Sequence, residues 1–241
     1  MWRKTVVSVM NLIFILSFFS SLESAGPLFG FLALGYAGIK SVMKHPRLLG
    51  WIAASLVLIF TYLKGYGFIA FLPTIPIQYS VIGLSYILFR VLSLGPEVAA
   101  GIVQKLNLLN YFNYTLNAFS FVSGPIQRYG DQCDQEQGFS AFELTPFIVE
   151  KAFSRLATGY VKISFLAILS KNFFSYLQAT GGLGMTGFSL SCLAYAFFLY
   201  VNFSGYMDII ISLGSLFGLK IPENFDRPFH SKSLIEFWGR W

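Results

Sequence analysis

Long apolar runs without a charged residue constrain this chain more than any other feature of its sequence. The runs 5–22, 106–127 and 172–207 contain no Asp, Glu, Lys or Arg. A helix needs roughly 20 mainly apolar residues to cross a bilayer, and these runs reach or approach that length. Charged residues make up only 12% of the chain, against about 25% in an ordinary soluble domain. The sequence therefore predicts an all-α, polytopic helical membrane protein.

The charge distribution argues against a nucleic-acid partner and makes the lipid bilayer the expected surroundings. The net charge is +6, but the basic residues form short clusters between apolar runs rather than one stripe. Such clusters orient membrane helices. Cys133 and Cys192 have neither metal-ligand spacing nor a disulfide pattern, so no metal site is predicted.

Lys and Arg concentrate in cytoplasmic loops, so the basic clusters indicate which loops of the chain lie on the cytoplasmic side. The start lies inside, and the first apolar run is interpreted as an anchor helix rather than a signal peptide, because it exceeds the roughly 7–15 residues of a signal core. Arg90 is expected to snorkel to the inner interface. The loop from Arg128 to Lys151 is expected inside. The predicted spans are 5–22, 26–39, 48–63, 77–94, 152–177 and 187 onward, and the whole chain, 1–241, is interpreted as a single membrane domain.

The run 106–127 carries an unusual polar stripe. Asn110, Asn113, Asn117 and Ser120 follow offsets of three and four, which place them on one face of a helix. A polar stripe at membrane depth must face protein or a water-filled cavity, and Gly124-Pro125 then interrupts the helix. We expect this segment to be re-entrant or buried inside the bundle.

Asp208 is a carboxylate within an apolar run, with Ser204 one turn before it. A charge inside the membrane suggests a functional site by default. The structural alternative is that Asp208 caps or pairs with a neighbouring helix. Arg155 and Lys162 share a helical face, and they either attract a phosphate-bearing donor or snorkel to the surface.

Five blocks of the chain together resemble the membrane-bound O-acyltransferase family, in particular its bacterial branch of alginate O-acetylation and teichoic-acid D-alanyl transfer proteins. The most specific part is a Phe-Ser-Gly-Tyr-x-Asp helix, a Pro-Glu-Asn-Phe-x-Arg-Pro loop and a Phe-Trp-x-Arg-Trp end. The resemblance is strongest over 77–241. The blocks are Ile82–Tyr86, Phe119–Tyr129, Tyr195–Asp208, Leu219–Phe229 and Glu236–Trp241.

The resemblance implies transfer of an acyl group, most simply acetyl, towards an exopolysaccharide such as alginate, with D-alanyl transfer to teichoic acid as an alternative. It also implies a multi-pass protein of the bacterial inner membrane with no bound cofactor. The acyl donor would be acyl-CoA or an acyl carrier protein on the cytoplasmic side, with periplasmic or extracellular acyltransferases as possible partners. The residues expected to line the site or the substrate path are Asn113, Asn117, Asn202, Ser204, Asp208, Asn224, Arg227, Trp238, Arg240 and Trp241.

The family's catalytic histidine directly follows the last Trp of the Phe-Trp-x-Arg-Trp motif, and Trp241 is the last residue here. We therefore expect an incomplete acyltransferase domain that is inactive by itself, with no catalytic residue assigned. Neither His45 nor His230 occupies the motif position. Asn202 stands where the family often has Asp, and Gly239 where Arg is usual. A non-enzymatic membrane carrier or scaffold is the competing hypothesis, although a carrier predicts internal repeats that the sequence lacks.

Overall fold

The computed structural model describes residues 2–67, 73, 83–121, 124, 127–138, 142–180 and 184–241, and its regular elements there are all helical. Within these ranges, four segments are long and apolar enough to cross a membrane: Glu23–Lys44, Pro46–Lys64, Pro146–Ala179 and Gly184–Leu216. The predicted all-α polytopic membrane fold is thereby confirmed. The helices are α1 Trp2–Leu16, α2 Leu22–Lys44, α3 Leu49–Lys64, α4 Leu84–Ala99, α5 Leu108–Thr115, α6 Tyr129–Gly138, α7 Pro146–Val161, α8 Ile168–Ala179, α9 Gly184–Leu216 and α10 Leu234–Arg240.

The chain divides into two compact units, Met1–Ala141 and Phe142–Trp241, and the single membrane domain stays a prediction. In the first unit, α2 packs against α3 and α4. Side chains such as Phe31, Leu32 and Val91 form its buried core.

The boundaries of the first two helices differ from the prediction. Helix α1 ends at Leu16, so the expected span 5–22 is wrong at its C-terminal end. Ser21 adopts an extended conformation and accepts a hydrogen bond from the backbone N–H of Ser24, which starts α2 at Leu22. Because an N-cap residue is not helical, the first helix cannot continue through it.

Helix α4 begins after Gly83, whose φ of 72° is left-handed, and continues to Ala99. The predicted span 77–94 therefore ends too early, while its residues 77–82 lie outside the described part. The expected snorkelling of Arg90 is wrong. Arg90 is 2% exposed, and its guanidinium donates to the carbonyl oxygens of Tyr114, Thr115 and Ser120 and to the Ser120 hydroxyl, at 2.5–3.0 Å.

The polar run 106–127 does not form one long helix. Helix α5 stops at Thr115, and a 3₁₀ turn follows over Ala118–Ser120. The side chain of Asn117 accepts from the N–H of Phe119 at 3.1 Å, because asparagine competes for nearby backbone groups and favours caps over helix interiors. The single polar face is therefore wrong, but the predicted burial holds for Asn113, Asn117 and Ser120. Pro125 of the expected helix break lies outside the described residues.

The second unit is built on two long antiparallel segments. Thr145 caps α7 and Pro146 opens it, so this segment starts earlier than the predicted 152. A π-helical turn, Lys162–Ala167, joins α7 to α8, and all three pieces pack against α9. The region 128–151 is not simply a loop, because it contains α6 and the first turn of α7. Of the expected glycine turn 181–184, only Gly184 is described.

Candidate functional site: a charged cluster and an aromatic cluster on α9

Two glycines bring α7 and α9 into close contact. A Cβ on Gly159 would lie 2.7 Å from the carbonyl oxygen of Gly205, and a Cβ on Gly205 would lie 2.8 Å from the carbonyl oxygen of Gly159. Small residues allow membrane helices to approach in this way. The contact places the side chains one turn away on each helix within reach of each other.

Asp208 lies beside this crossing and binds two cations from the facing segment. The ammonium of Lys162 lies 2.6 Å from one carboxylate oxygen, and Nε of Arg155 lies 3.0 Å from the other. Lys162 also donates to the Ser204 hydroxyl at 2.9 Å. The side chain of Asp208 is 13% exposed, so the pairing compensates for the cost of removing a carboxylate from water.

Arg155 connects this cluster to the loop that follows α9. Its two terminal nitrogens donate to the two carboxylate oxygens of Glu223, each at 2.6 Å. Planar bidentate pairing of this kind is a property of arginine that lysine cannot reproduce. We call Arg155, Lys162, Ser204, Asp208 and Glu223 the charged cluster.

Two interpretations that the sequence leaves open concern residues of the charged cluster. A functional role for Asp208 and binding of a phosphate-bearing donor by Arg155 and Lys162 stay predictions. Asp208 pairs with a neighbouring helix, as in the structural alternative. Arg155 and Lys162 do not snorkel freely, because each holds a carboxylate. Lys162 is the first residue of the π-helical turn, and π turns recur at functional sites.

One turn before Ser204, the ring of Tyr200 packs against other aromatic rings. We call Tyr200, Phe225, Phe229, Phe237 and Trp241 the aromatic cluster. The ring centroid of Tyr200 lies 5.2 Å from Phe225, 4.8 Å from Phe229 and 5.7 Å from Trp241. The ring centroid of Phe237 lies 5.4 Å from that of Trp241, with the two rings tilted by 34°. Tyr200, Ser204 and Asp208 therefore form one face of α9 that holds Trp241 at one end and the charged cluster at the other.

Helix α10 is tied to the preceding loop by hydrogen bonds. Ser233 caps it through the N–H of Glu236, and the Glu236 carboxylate accepts from the N–H of Lys232 at 2.8 Å. Arg240 donates to Glu236 and to the carbonyl oxygen of Asp226. Acceptance from Lys232 and the neighbouring Arg240 hold the pKa of Glu236 below its ordinary value.

The structure places the expected site residues unevenly. Ser204 and Asp208 belong to the charged cluster, and Trp241 belongs to the aromatic cluster. Arg240 takes part in the hydrogen bonds that hold α10 to the preceding loop. Asn113 and Asn117 are buried in the first unit. Of the other four expected residues, Asn202 and Arg227 are exposed and Asn224 is half-buried, and these three join neither cluster. Trp238 is 69% exposed and lies at the edge of the aromatic cluster, where its ring contacts that of Trp241.

Sequence reasoning missed Glu223 and Tyr200 as members of these clusters. The general cost of unpaired charges in a membrane predicts a cationic partner for Asp208, and Arg155 and Lys162 lie in the adjacent predicted span. Nothing in the sequence gives the register that selects them. Arg227 adopts a φ of 47°, a left-handed conformation that costs a non-glycine residue about 1–3 kcal/mol.

Comparisons with curated proteins find relatives over about two thirds of the chain. A probable alginate O-acetylase of Pseudomonas fluorescens is 32% identical over 165 residues, which cover 66% of this chain and 32% of the relative. A teichoic acid D-alanyltransferase of Streptococcus thermophilus is 29% identical over 170 residues, 66% of this chain and 40% of the relative. A peptidoglycan O-acetyltransferase of Helicobacter pylori is 42% identical over 52 residues, 22% of this chain and 10% of the relative. The chain is related to the bacterial membrane-bound O-acyltransferases.

This relationship confirms the resemblance stated from the sequence motifs. The search with family models finds no match. The aligned part makes up about a third of the length of the alginate O-acetylase relatives.

Proposed function

We propose that this chain forms part of an O-acyltransferase that transfers an acetyl group towards an exopolysaccharide such as alginate. The observation that carries the proposal is the match, over 66% of the chain, to a probable alginate O-acetylase. The multi-pass apolar helices support a location in the bacterial inner membrane, where the enzyme would act across the bilayer.

The α9 face is the part of the chain that supports this chemistry best. Attack by an acceptor hydroxyl needs a general base, and histidine suits that role because its pKa lies near neutrality. In the family that the chain resembles, this histidine directly follows the residue that corresponds to Trp241. The aromatic cluster holds Trp241 against α9, and the charged cluster lies two turns along the same face. We propose that these clusters position the base rather than supply it.

The donor side belongs to the same proposal. An acyl-CoA or an acyl carrier protein would deliver the acyl group from the cytoplasm, and no resident cofactor takes part. Separate acyltransferases on the periplasmic or extracellular side would then complete the modification of the polymer. Asn113, Asn117, Asn202, Asn224, Arg227, Trp238 and Arg240 remain proposed lining residues of the substrate path.

Transfer of D-alanine to teichoic acid is the alternative, and a specific observation favours it. Two relatives are named teichoic acid D-alanyltransferase. One is the protein of Streptococcus thermophilus described above, and the other is a protein of Bacillus subtilis that is 30% identical to this chain. The two activities differ in the acyl group released from the product by mild alkali.

The test is to express the full-length gene product in a host that makes alginate but lacks its own acetylase. Ester-linked acetate on the polysaccharide is expected to appear with the protein. D-alanine esters on teichoic acid in a matching Gram-positive host, without acetate on alginate, would replace the proposal by its alternative. Neither ester in either host would overturn both.

A pair of variants tests whether the aromatic cluster supports the reaction. Trp241→Ala is expected to lower acetate transfer about 10²-fold, because a misplacement of about 1 Å in a catalytic group has that effect. Trp51→Ala is the matched control, since Trp51 is 77% exposed in the first unit. Equal activity of both variants would contradict a role for the aromatic cluster.

A further inference from the structure

A groove in the second unit combines an apolar floor with a basic rim. It encloses about 350 Å³ between α7, α9 and the segment that follows α9. Its floor includes the buried side chains of Ala152, Ile211 and Leu219. Among the residues that the structure describes, its charged lining residues are Lys151, Arg155 and Lys220, and none of the lining side chains is acidic. We call this the basic groove.

The wall of the basic groove is formed by a sharp reversal after α9. Gly218 adopts a φ of 80°, and the N–H of Leu219 donates to the carbonyl oxygen of Gly214 at 2.9 Å. Ile221 consequently folds back onto Gly214, where an added Cβ would lie 2.6 Å from its side chain. The groove is thus a fixed product of the helix end and not a gap between loosely placed side chains.

The groove lies where a membrane surface would be. Its lining comes from the first turns of one candidate span, Pro146–Ala179, and from the last turns of the antiparallel span, Gly184–Leu216. Both ends belong to the same side of the helix pair. An interfacial location places the apolar floor beside acyl chains and the rim at the level of phospholipid headgroups.

Not every cationic side chain of the rim forms an ion pair within the protein. Arg155 is held by Asp208 and Glu223. The ammonium of Lys151, one helical turn earlier, is exposed and has no hydrogen bond or ion pair within the described residues. An unpaired ammonium beside a fixed apolar groove is complementary to an anionic headgroup carrying an acyl chain, and basic pockets between membrane helices bind such lipids.

We propose that the basic groove binds one anionic phospholipid, with its phosphate at Lys151 and an acyl chain along the apolar floor. This inference does not depend on the proposed acyl transfer. A soluble phosphate compound lacks the chain that the floor accommodates, and a neutral phospholipid lacks the charge that the rim selects.

The test uses the full-length protein purified in detergent and exchanged with palmitoyl-oleoyl phosphatidylglycerol or with phosphatidylcholine of the same chains. Native mass spectrometry counts the lipids retained. The wild type is expected to retain one phosphatidylglycerol in preference to phosphatidylcholine. K151Q is expected to lower phosphatidylglycerol affinity about 5-fold, since a lysine near a membrane surface contributes about 1 kcal/mol.

A second variant tests the apolar floor independently of charge. Ser215→Phe fills the groove and is expected to lower retention of both lipids. Ser189→Phe is its matched control, because Ser189 lies on an exposed face of α9 and its hydroxyl likewise bonds a backbone carbonyl of the preceding turn. K105Q is the control for charge, because Lys105 is exposed in the first unit.

Three results would overturn the proposal. They are equal retention of the two lipids by the wild type, equal losses in K105Q and in K151Q, and full displacement of phosphatidylglycerol by glycerol 1-phosphate alone. Displacement by the soluble headgroup would mean that the groove binds a soluble anion. The proposed acyl transfer is tested separately by its own assay, since none of these outcomes depends on it.

Discussion

Gly205 lies directly against Lys162: a Cβ on Gly205 would come within 2.8 Å of the Cβ of that lysine. The absence of a side chain at this position therefore allows the ammonium of Lys162 to reach both Ser204 and Asp208. The spacing of two helices and the geometry of the charged cluster depend on the same glycine.

Gly205→Ala is the first test of this relationship. The added methyl group must push α7 away or displace Lys162, and overpacking of this kind costs about 1–3 kcal/mol. The free energy of unfolding, measured in mixed micelles, is expected to fall by that amount. Gly30→Ala is the control, because a Cβ on Gly30 meets nothing within 4 Å and alanine favours a helix. Equal stability of Gly205→Ala and wild type would contradict the close packing.

Asp208→Asn tests the pairing inside the charged cluster. It leaves Lys162 and Arg155 without their shared carboxylate, and we expect a loss of about 1–3 kcal/mol after allowance for the 30% exposure of Lys162. In a double-mutant cycle with Lys162→Met, the combined loss should be smaller than the sum by about 1 kcal/mol. Lys171→Met, at an exposed position of α8, is the control. Strict additivity would show that the two residues are not coupled.

The C-terminal helix should respond to acid through Glu236. Because its pKa is lowered in the folded chain, the ionised carboxylate stabilises α10 above the ordinary glutamate value of 4.5. That contribution is lost as the pH falls through the lower, folded value. The protection factor of the Lys232 amide, which compares its exchange with that of an unstructured amide at the same pH, is therefore expected to fall below pH 4.5.

Glu236→Gln separates titration from hydrogen bonding. The amide oxygen of glutamine can still accept from Lys232, but it does not titrate in this range. Protection of the Lys232 amide should then be lower and independent of pH. A wild-type carboxyl that titrates at or above 4.5 would refute the lowered pKa.

Arg90→Lys is expected to destabilise the first unit by about 2–4 kcal/mol, because hydrogen bonds to charged groups contribute about 1.5–3 kcal/mol each. A lysine cannot bridge the carbonyl oxygens of both Tyr114 and Ser120, which the guanidinium reaches from its two terminal nitrogens. Ser120→Ala removes only the hydroxyl acceptor and should cost less. Equal losses in the two variants, measured by unfolding in mixed micelles, would mean that the backbone contacts contribute nothing.

The sequence predicts the helical class and the need of Asp208 for a partner, since both follow from charge and apolar length. It does not predict the partners of Asp208, because these depend on the register that Gly159 and Gly205 impose. The prediction that Arg90 snorkels to the inner interface fails for a related reason. Its acceptors are backbone carbonyls exposed where α5 stops at Thr115, and a local pattern that continues through the asparagines gives no sign of that stop.

Tyr200→Leu tests whether α9 holds the C-terminal helix through the aromatic cluster. Tyr200 contacts the rings of Phe225, Phe229 and Trp241, and such ring pairs contribute about 0.5–1.5 kcal/mol each beyond the area they bury. The ¹⁹F resonance of fluorinated Trp241, assigned by a Trp241→Phe variant, is expected to shift and broaden. Tyr195→Leu is the matched control, because Tyr195 also lies in α9 but packs on Phe174 of α8 and on Phe198. A resonance unchanged in Tyr200→Leu would mean that the ring of Tyr200 does not position Trp241.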